Sequence, residues 1–377
     1  MDKFAKGIEK TRDFYSMKPD APLYMKEFGY YSMDRWIKEG HIDKEKLKDP
    51  QYLRDLFGFD YPGETVLGCL GWCEAAFCPE FDVLAVEDRG KHEVVQDKAG
   101  RHVLYFKGRR DGFMPEYLEH PVKDINSWKK DCEWRLDSKA PGRDKLLQNN
   151  LNNVIKAKEQ GMFVTQKVIG GYMYLRSLIG PEKLFYMVYD DPDLIHVCMR
   201  KWFELADFVT AYFQEKVNIE QLFLAEDICY NHGILISPDM MREFLFPYYK
   251  QLIENIKKRQ IDKTKHMFIQ IDTDGFCDPS IDVYKEIGMD VMSPFEVASN
   301  CDVVRTAEKY PELRITGGMD KRVLATTKEE IDKMVDRICP VMRKRGGYIP
   351  TCDHGVPEEV SFENYMHFRK RLLEYSV

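Results

Sequence analysis

The sequence predicts a (β/α)8 barrel with an amino-terminal extension that carries a β-hairpin. Three observations predict it. The second half alternates short β-branched runs with helix-like stretches, the mark of a parallel sheet wrapped by helices. Six such units follow one another in order. Five of the six runs stop at acidic residues, at the strand ends where this architecture gathers its chemistry. A chain of 377 residues, 44% of them hydrophobic, suits one such domain spanning 1–377, with residues 1–150 the less regular part.

Thr65-Val-Leu67 is a candidate early strand. His92–Gln96 and Val103–Phe106, flanking Asp97-Lys-Ala-Gly100, read as a hairpin with a glycine turn, an excursion at 92–106. Phe163–Ile169 is the first strand of the regular series and ends at Gly170-Gly171; a helical stretch follows to Tyr189, and Pro192 opens a second helix to about Lys216. Gln221–Ala225 breaks at Glu226-Asp227, and Ser237-Pro238 starts the next helix as cap and first-turn proline. His266–Ile271 breaks at Asp272-Thr-Asp274-Gly275, and Asp290–Pro294 breaks at Glu296. Leu313–Thr316 runs into Gly317-Gly-Met-Asp320, and Gly347–Ile349 into Thr351-Cys-Asp-His354. Helices are expected around 302–309, 327–344 and 361–375. Two earlier strands would close the barrel.

A net charge of −7 with interspersed signs leaves no nucleic-acid footprint. The basic runs Lys107-Gly-Arg109-Arg110 and Lys257-Lys-Arg259 read as solvated faces. The charged amino terminus has no apolar signal core, and no run approaches the ~20 apolar residues of a membrane span. Ten scattered cysteines, among them Cys69, Cys73 and Cys78 at a spacing unlike a zinc knuckle, read as reduced thiols of a cytoplasmic protein, mostly core filler.

An unpaired carboxylate inside a barrel is costly to desolvate, so acids at the strand ends are expected to face one open cleft. Glu226, Asp227, Asp272, Asp274, Glu296, Asp320, Asp353 and His354 are the candidates. Asp227, Asp320 and Asp353 equally suit caps of the following turn, and Glu296 equally suits an ion pair with Lys321 or Arg322. Asp272 and Asp274, at i and i+2, lie on one side of a strand end, where they can share a proton or a cation. His354 precedes Gly355 and Pro357 and can act as general acid or ligand. Tyr172, Tyr230 and Trp72 are candidates for an aromatic substrate pocket, with core packing as the alternative.

Three stretches together resemble the uroporphyrinogen decarboxylase superfamily. They are Glu226-Asp227 with Gly233-x-Leu-x-Ser-Pro238, Asp272-Thr-Asp-Gly275 with Pro294-Phe-Glu-Val297, and Gly317-Gly-Met-Asp-Lys321 with Asp353-His-x-Val-Pro357. The likeness covers about residues 160–377 and implies a (β/α)8 barrel. True decarboxylases of that superfamily carry an amino-terminal arginine-rich motif for a polycarboxylate substrate; here the region reads Tyr30-Tyr-Ser-Met-Asp-Arg35-Trp. The resemblance therefore falls nearer the cobalamin-dependent methyltransferases. That branch implies a corrinoid (cobalamin) on a partner protein and a small methylated donor. Thiol-methylating members bind zinc through His-x-Cys and a distant cysteine; here Asp272-x-Asp274 stands at the first position and Cys352 near the second. A zinc or other divalent ion on Asp272, Asp274 and Cys352 is thus one expectation. With this oxygen-rich set the branch implies demethylation of an O-methyl donor, such as an aryl methyl ether, with catalysis by Asp272, Asp274, Glu226 and His354, and Tyr172, Tyr230, Trp72, Glu296 and Asp320 about the substrate. A porphyrinogen decarboxylase and a non-catalytic corrinoid- or ligand-binding member are the alternatives.

Overall fold

The computed structural model describes residues 2–108, 110 and 115–377; Arg109 of the first basic run lies outside them. Its centre is a curled, all-parallel sheet of seven strands: β1 (Glu64–Leu67), β6 (Phe163–Ile169), β7 (Gln221–Ala225), β10 (Phe268–Asp272), β11 (Val291–Ser293), β12 (Arg314–Thr316) and β13 (Tyr348–Ile349), in that spatial order. Each pairs with the next unit of the chain, Thr165 opposite Gln221 and Asp272 opposite Ser293. Helices cover the outside, with breaks where local chemistry dictates them. Gly180, at φ +95°, and Pro181 divide the single stretch expected up to Tyr189 into Gly171–Ile179 and Pro181–Asp190. Ser237 caps its helix by accepting the Met240 N–H.

Among the described residues the sheet has seven strands, one short of the expected eight. The segment 22–30 runs past its open edge without a continuous ladder. Met25 gives its N–H to the Asp60 carboxylate, at 2.7 Å, and not to a strand carbonyl. Only single contacts remain, such as the isolated parallel bridge Tyr30–Val356.

A second sheet is antiparallel, in the order β2 (Leu84–Arg89), β3 (His92–Gln96), β4 (His102–Phe106), β5 (Glu116–Glu119). Segments 92–96 and 102–106 form its middle pair, His92 opposite Phe106 and Gln96 opposite His102. Arg101 at the turn ties this sheet to the body through Glu74, at 2.9 Å. A short ribbon, β8 (Cys229–Tyr230) with β9 (Gly233–Ile234), follows β7.

Side chains of alternate parity point into the curl. At its amino-terminal end the filling is aromatic. Tyr15, from the helix Lys3–Tyr15, stacks on Phe163 with centroids 4.0 Å apart and also packs on Phe268, at 4.8 Å. Phe14, Val291 and Ile349 complete this plug. Above it the filling is polar: Thr165, Gln221, Gln270 and Lys167 line a cavity of about 120 Å³. The amino-terminal helix therefore closes the lumen floor, and the strand ends opposite it form the mouth. Tyr15→Ala is expected to destabilise the fold by about 3–5 kcal/mol, as for other large buried aromatics. Guanidinium unfolding checks this, and a loss below about 1 kcal/mol would show that the floor seals without the ring.

Candidate active site

Asp272 ends β10 with its side chain on the lumen side. A chain of hydrogen bonds reaches it across four strands: the Thr165 hydroxyl donates to Gln221 (2.9 Å), the Gln221 amide to Gln270 (2.6 Å), the Gln270 amide to Ser293 (2.6 Å), and the Ser293 hydroxyl to Asp272 Oδ2 (2.5 Å). Burial pushes the Asp272 carboxyl up to about 7; Ser293 and the nearby Lys167 oppose the rise, and Asp274 and Asp227 add to it. Its protonated form is thus accessible near neutral pH. Oδ1 remains for the proton.

Around Asp272 stand Asp227, Asp274, Glu296 and His354. They share one electrostatic neighbourhood: Asp274 and Glu296 both act on Asp227 and on His354. Each acid has its own positive partner. Arg176 pairs with Asp227 at 2.5 Å, Lys321 with Glu296 at 3.5 Å, and His354 Nε2 lies 3.6 Å from Asp274 Oδ2. The bond to Asp274 is the main cause that raises the His354 pKa above its usual value, so the imidazolium is favoured there. Tyr31 approaches His354 Nδ1 from the other side, at 3.3 Å, and Phe28 packs on the ring. Glu296 also accepts the Gly275 N–H at 2.8 Å. Gly275 itself has φ +83°, and a Cβ there would fall 2.8 Å from the Tyr230 backbone, so the turn behind Asp272 and Asp274 requires glycine.

The exposed rings of Trp72, Tyr230, Phe28 and Tyr31 border this mouth. Trp72 stacks on Phe223 at 5.5 Å, with the Lys167 ammonium 4.3 Å from its ring centre.

Five expected site residues are placed elsewhere. Glu226 is fully buried and faces away from the cleft, with Oε1 accepting the Tyr172 N–H (3.0 Å) and Oε2 the Tyr249 hydroxyl (2.6 Å). It anchors the start of helix Gly171–Ile179. Gly170 makes room for it, since a Cβ there would lie 2.1 Å from Oε2. Tyr172 sits in the same buried cluster and does not line the mouth. Cys352 is fully buried and its neighbour is Glu27, which accepts the Cys352 N–H at 2.9 Å. Asp272, Asp274 and Cys352 accordingly do not bring three ligand atoms within 4.8 Å of one another, and the expected metal set does not fit. Asp320 is chelated by the guanidinium of its neighbour Arg322, at 2.8 and 2.9 Å, and is held below the usual carboxylate range. Asp353 is a buried clamp that accepts the N–H groups of Val297 and Lys321.

Sequence reasoning missed Lys167, Ser293, Arg176, Phe28 and Tyr31. A signal existed for the first two: Thr165 and Lys167, like Gln270 and Asp272, are polar at i and i+2 of buried strands, which marks a polar lumen face. The Arg176–Asp227 pair joins the helix Gly171–Ile179 to the loop after β7 and leaves no local pattern.

Glu226 offers a test of this placement. Burial raises its pKa from 4.5 to about 7, so the folded state holds the proton more tightly than the unfolded one. The stabilisation is full below about pH 4.5 and is lost as pH rises through about 7, a change of about 3 kcal/mol. Glu226→Gln is expected to remove that slope, so that urea unfolding at pH 5 and pH 8 shows wild type losing ground to the variant. Parallel profiles would place the carboxylate in water.

Among the described residues no helix is long and apolar enough to cross a membrane. A uroporphyrinogen decarboxylase of Hydrogenobaculum sp. (strain Y04AAS1) is 22% identical over 191 residues, 50% of this chain and 51% of that protein. One from Legionella pneumophila (strain Corby) is 23% identical over 186 residues, 48% of this chain and 49% of that protein. The chain thus spans about half the length of the relatives it matches. A methyltransferase from Methanosarcina mazei shares the fold, with a TM-score of 0.56 over 97% of each chain at 12% identity. The family model for uroporphyrinogen decarboxylase (URO-D) matches residues 118–375. Spanning more than half of the chain and all but the first strand of the parallel sheet, that match makes the protein a member of the uroporphyrinogen decarboxylase family.

Proposed function

We propose that the protein is a methyltransferase that moves a methyl group from a small O-methylated donor to a corrinoid protein. We further take segment 22–30 as standing in for the eighth strand, which would complete a (β/α)8 barrel. The observation that carries the functional reading is a carboxyl, Asp272, poised near neutral pH at the centre of a mouth whose other charges are matched.

An O-methyl group leaves its oxygen without the bonding electrons, and the oxygen departs as an alkoxide or phenoxide unless it is protonated. Asp272, held through Oδ2 by Ser293, can deliver the proton from Oδ1 as the C–O bond breaks. The paired His354 and Asp274 stand beside it and can restore that proton from solvent. The corrinoid, when docked by its carrier protein, supplies the nucleophilic cobalt that accepts the methyl group. The exposed flat rings of Trp72, Tyr230, Phe28 and Tyr31 suit the face of a macrocycle. A catalytic zinc finds no convergent ligand set at Asp272, Asp274 and Cys352, and no step is assigned to one.

The family model and both sequence relatives carry the name of a decarboxylase, which favours a second reading. Its substrate presents many carboxylates and needs unpaired cations. At this mouth Arg176, Lys321 and His354 already face Asp227, Glu296 and Asp274, and Lys167 faces Asp272. The match of charges argues for a neutral donor.

The test combines the purified protein with a reduced corrinoid protein and a panel of methyl ethers, read by the corrinoid absorbance. Asp272→Asn is expected to slow transfer by about 10²–10⁴-fold. Wild-type activity is expected to fall as pH rises through about 7, because the proton-donating form is then lost. A variant as fast as wild type, or carbon dioxide release from a porphyrinogen, would overturn the reading.

A further inference from the structure

Three cysteines converge behind the mouth from three successive loops. Cys229 lies on β8, after β7; Cys277 ends the turn after β10 and precedes the helix Asp278–Lys285; Cys301 follows β11 and precedes the helix Val303–Lys309. All three are buried. The Sγ atoms of Cys277 and Cys301 are 3.7 Å apart, and with a carboxylate oxygen of Asp278 they form a group whose ligand atoms all lie within 4.8 Å of one another. Among the described residues no other three such side chains do so.

We infer that Cys277, Cys301 and Asp278 form a structural site for a soft divalent cation such as Zn²⁺, which staples the loop after β10 to the loop after β11. Two thiolates on a tetrahedral zinc, each at about 2.3 Å, stand about 3.8 Å apart. The observed spacing therefore needs almost no movement to accept the ion. Charge also balances. Two thiolates and one carboxylate carry −3, Zn²⁺ brings +2, and Arg305, whose Nη2 lies 3.1 Å from Asp278 Oδ2, brings the last +1. Arg305 is itself fixed by the Asn300 carbonyl at 2.7 Å, so it can neutralise the site while one carboxylate oxygen turns to the metal. Cys229 is a neighbour of both thiols but lies outside the converging group, so a neutral water would complete the fourth position and leave the charge balance unchanged. Binding takes Zn²⁺ from water, releases the two thiol protons to solvent and changes no oxidation state.

The location gives the site a purpose. Asp272 and Asp274 lie five and three residues before Cys277, and Glu296 lies five before Cys301. A metal joining the two cysteines would hold these acids in fixed relation without touching the cleft. This site uses none of the residues assigned to methyl transfer, and its test is independent of that activity.

The test is metal content and optical spectroscopy on the full chain. Protein purified without chelator, exposed to Zn²⁺ and desalted, is expected to keep about one zinc per chain. Replacement by Co²⁺ is expected to give the thiolate-to-cobalt absorption and the intense visible bands of a tetrahedral site. Cys277→Ser and Cys301→Ser should each weaken zinc by more than the roughly 10–100-fold that loss of an outer-shell partner costs, and Asp278→Asn should weaken it less. Wild type does not depend on the variants folding: failure to retain zinc, a cobalt spectrum without thiolate bands, or a Cys277–Cys301 disulfide in protein purified without reductant would each overturn the inference. Zinc retained undiminished by a folded Cys277→Ser variant would overturn it as well, since the ion would then sit elsewhere.

Discussion

The structure depends on satisfying polar groups inside a closed space. A lumen lined by Thr165, Gln221, Gln270 and Ser293 would be unstable if any donor or acceptor there were orphaned, because each such group costs about 1–3 kcal/mol. The side chains meet this by bonding one another across strands in a single direction. Every donor passes to the next acceptor until the run ends on a group that only accepts, the Asp272 carboxylate oxygen. The register makes this feasible. Thr165 is opposite Gln221 and Asp272 is opposite Ser293 in the parallel ladder, so a shift of one residue would turn these groups outward and bring apolar ones in.

That constraint explains the division of the lumen into an aromatic floor and a polar upper layer. The aromatic end is sealed by Tyr15 from outside the sheet, which keeps solvent away from the floor. The polar end opens on the mouth. Asp272 stands at the boundary, and its desolvation from beneath is the physical cause of its high pKa, which the Ser293 bond only partly offsets.

Much of the fold was legible because strands leave local marks. Runs such as Phe163–Ile169 and Gln221–Ala225 coincide with β6 and β7, since β-branched and apolar residues over so short a span suit a sheet covered on both faces. The gathering of Asp227, Asp272, Asp274, Glu296 and His354 was legible for the same reason: strand ends share a rim. What failed was direction. Glu226 and Asp227 are adjacent, yet one enters the core and the other the cleft, with Asp227 at φ +44°. Cys352 lies three residues past the end of β13, is fully buried, and meets Glu27 from the amino-terminal segment. Neither Glu27 nor Tyr249, which receive these residues, is near them in sequence.

Glu226 and Asp272 also show why a shifted pKa does not by itself mark a catalytic acid. Burial brings both to about 7. Both oxygens of Glu226 are occupied by buried donors that belong to the fold, so its proton has no path to a substrate. Asp272 spends one oxygen on Ser293 and keeps the other at the mouth, beside the His354–Asp274 pair. On the function proposed above, similar shifts with unequal access suit Glu226 to a structural role and Asp272 to a chemical one. Proton transfer needs a partner within hydrogen-bond reach before it needs a matched pKa.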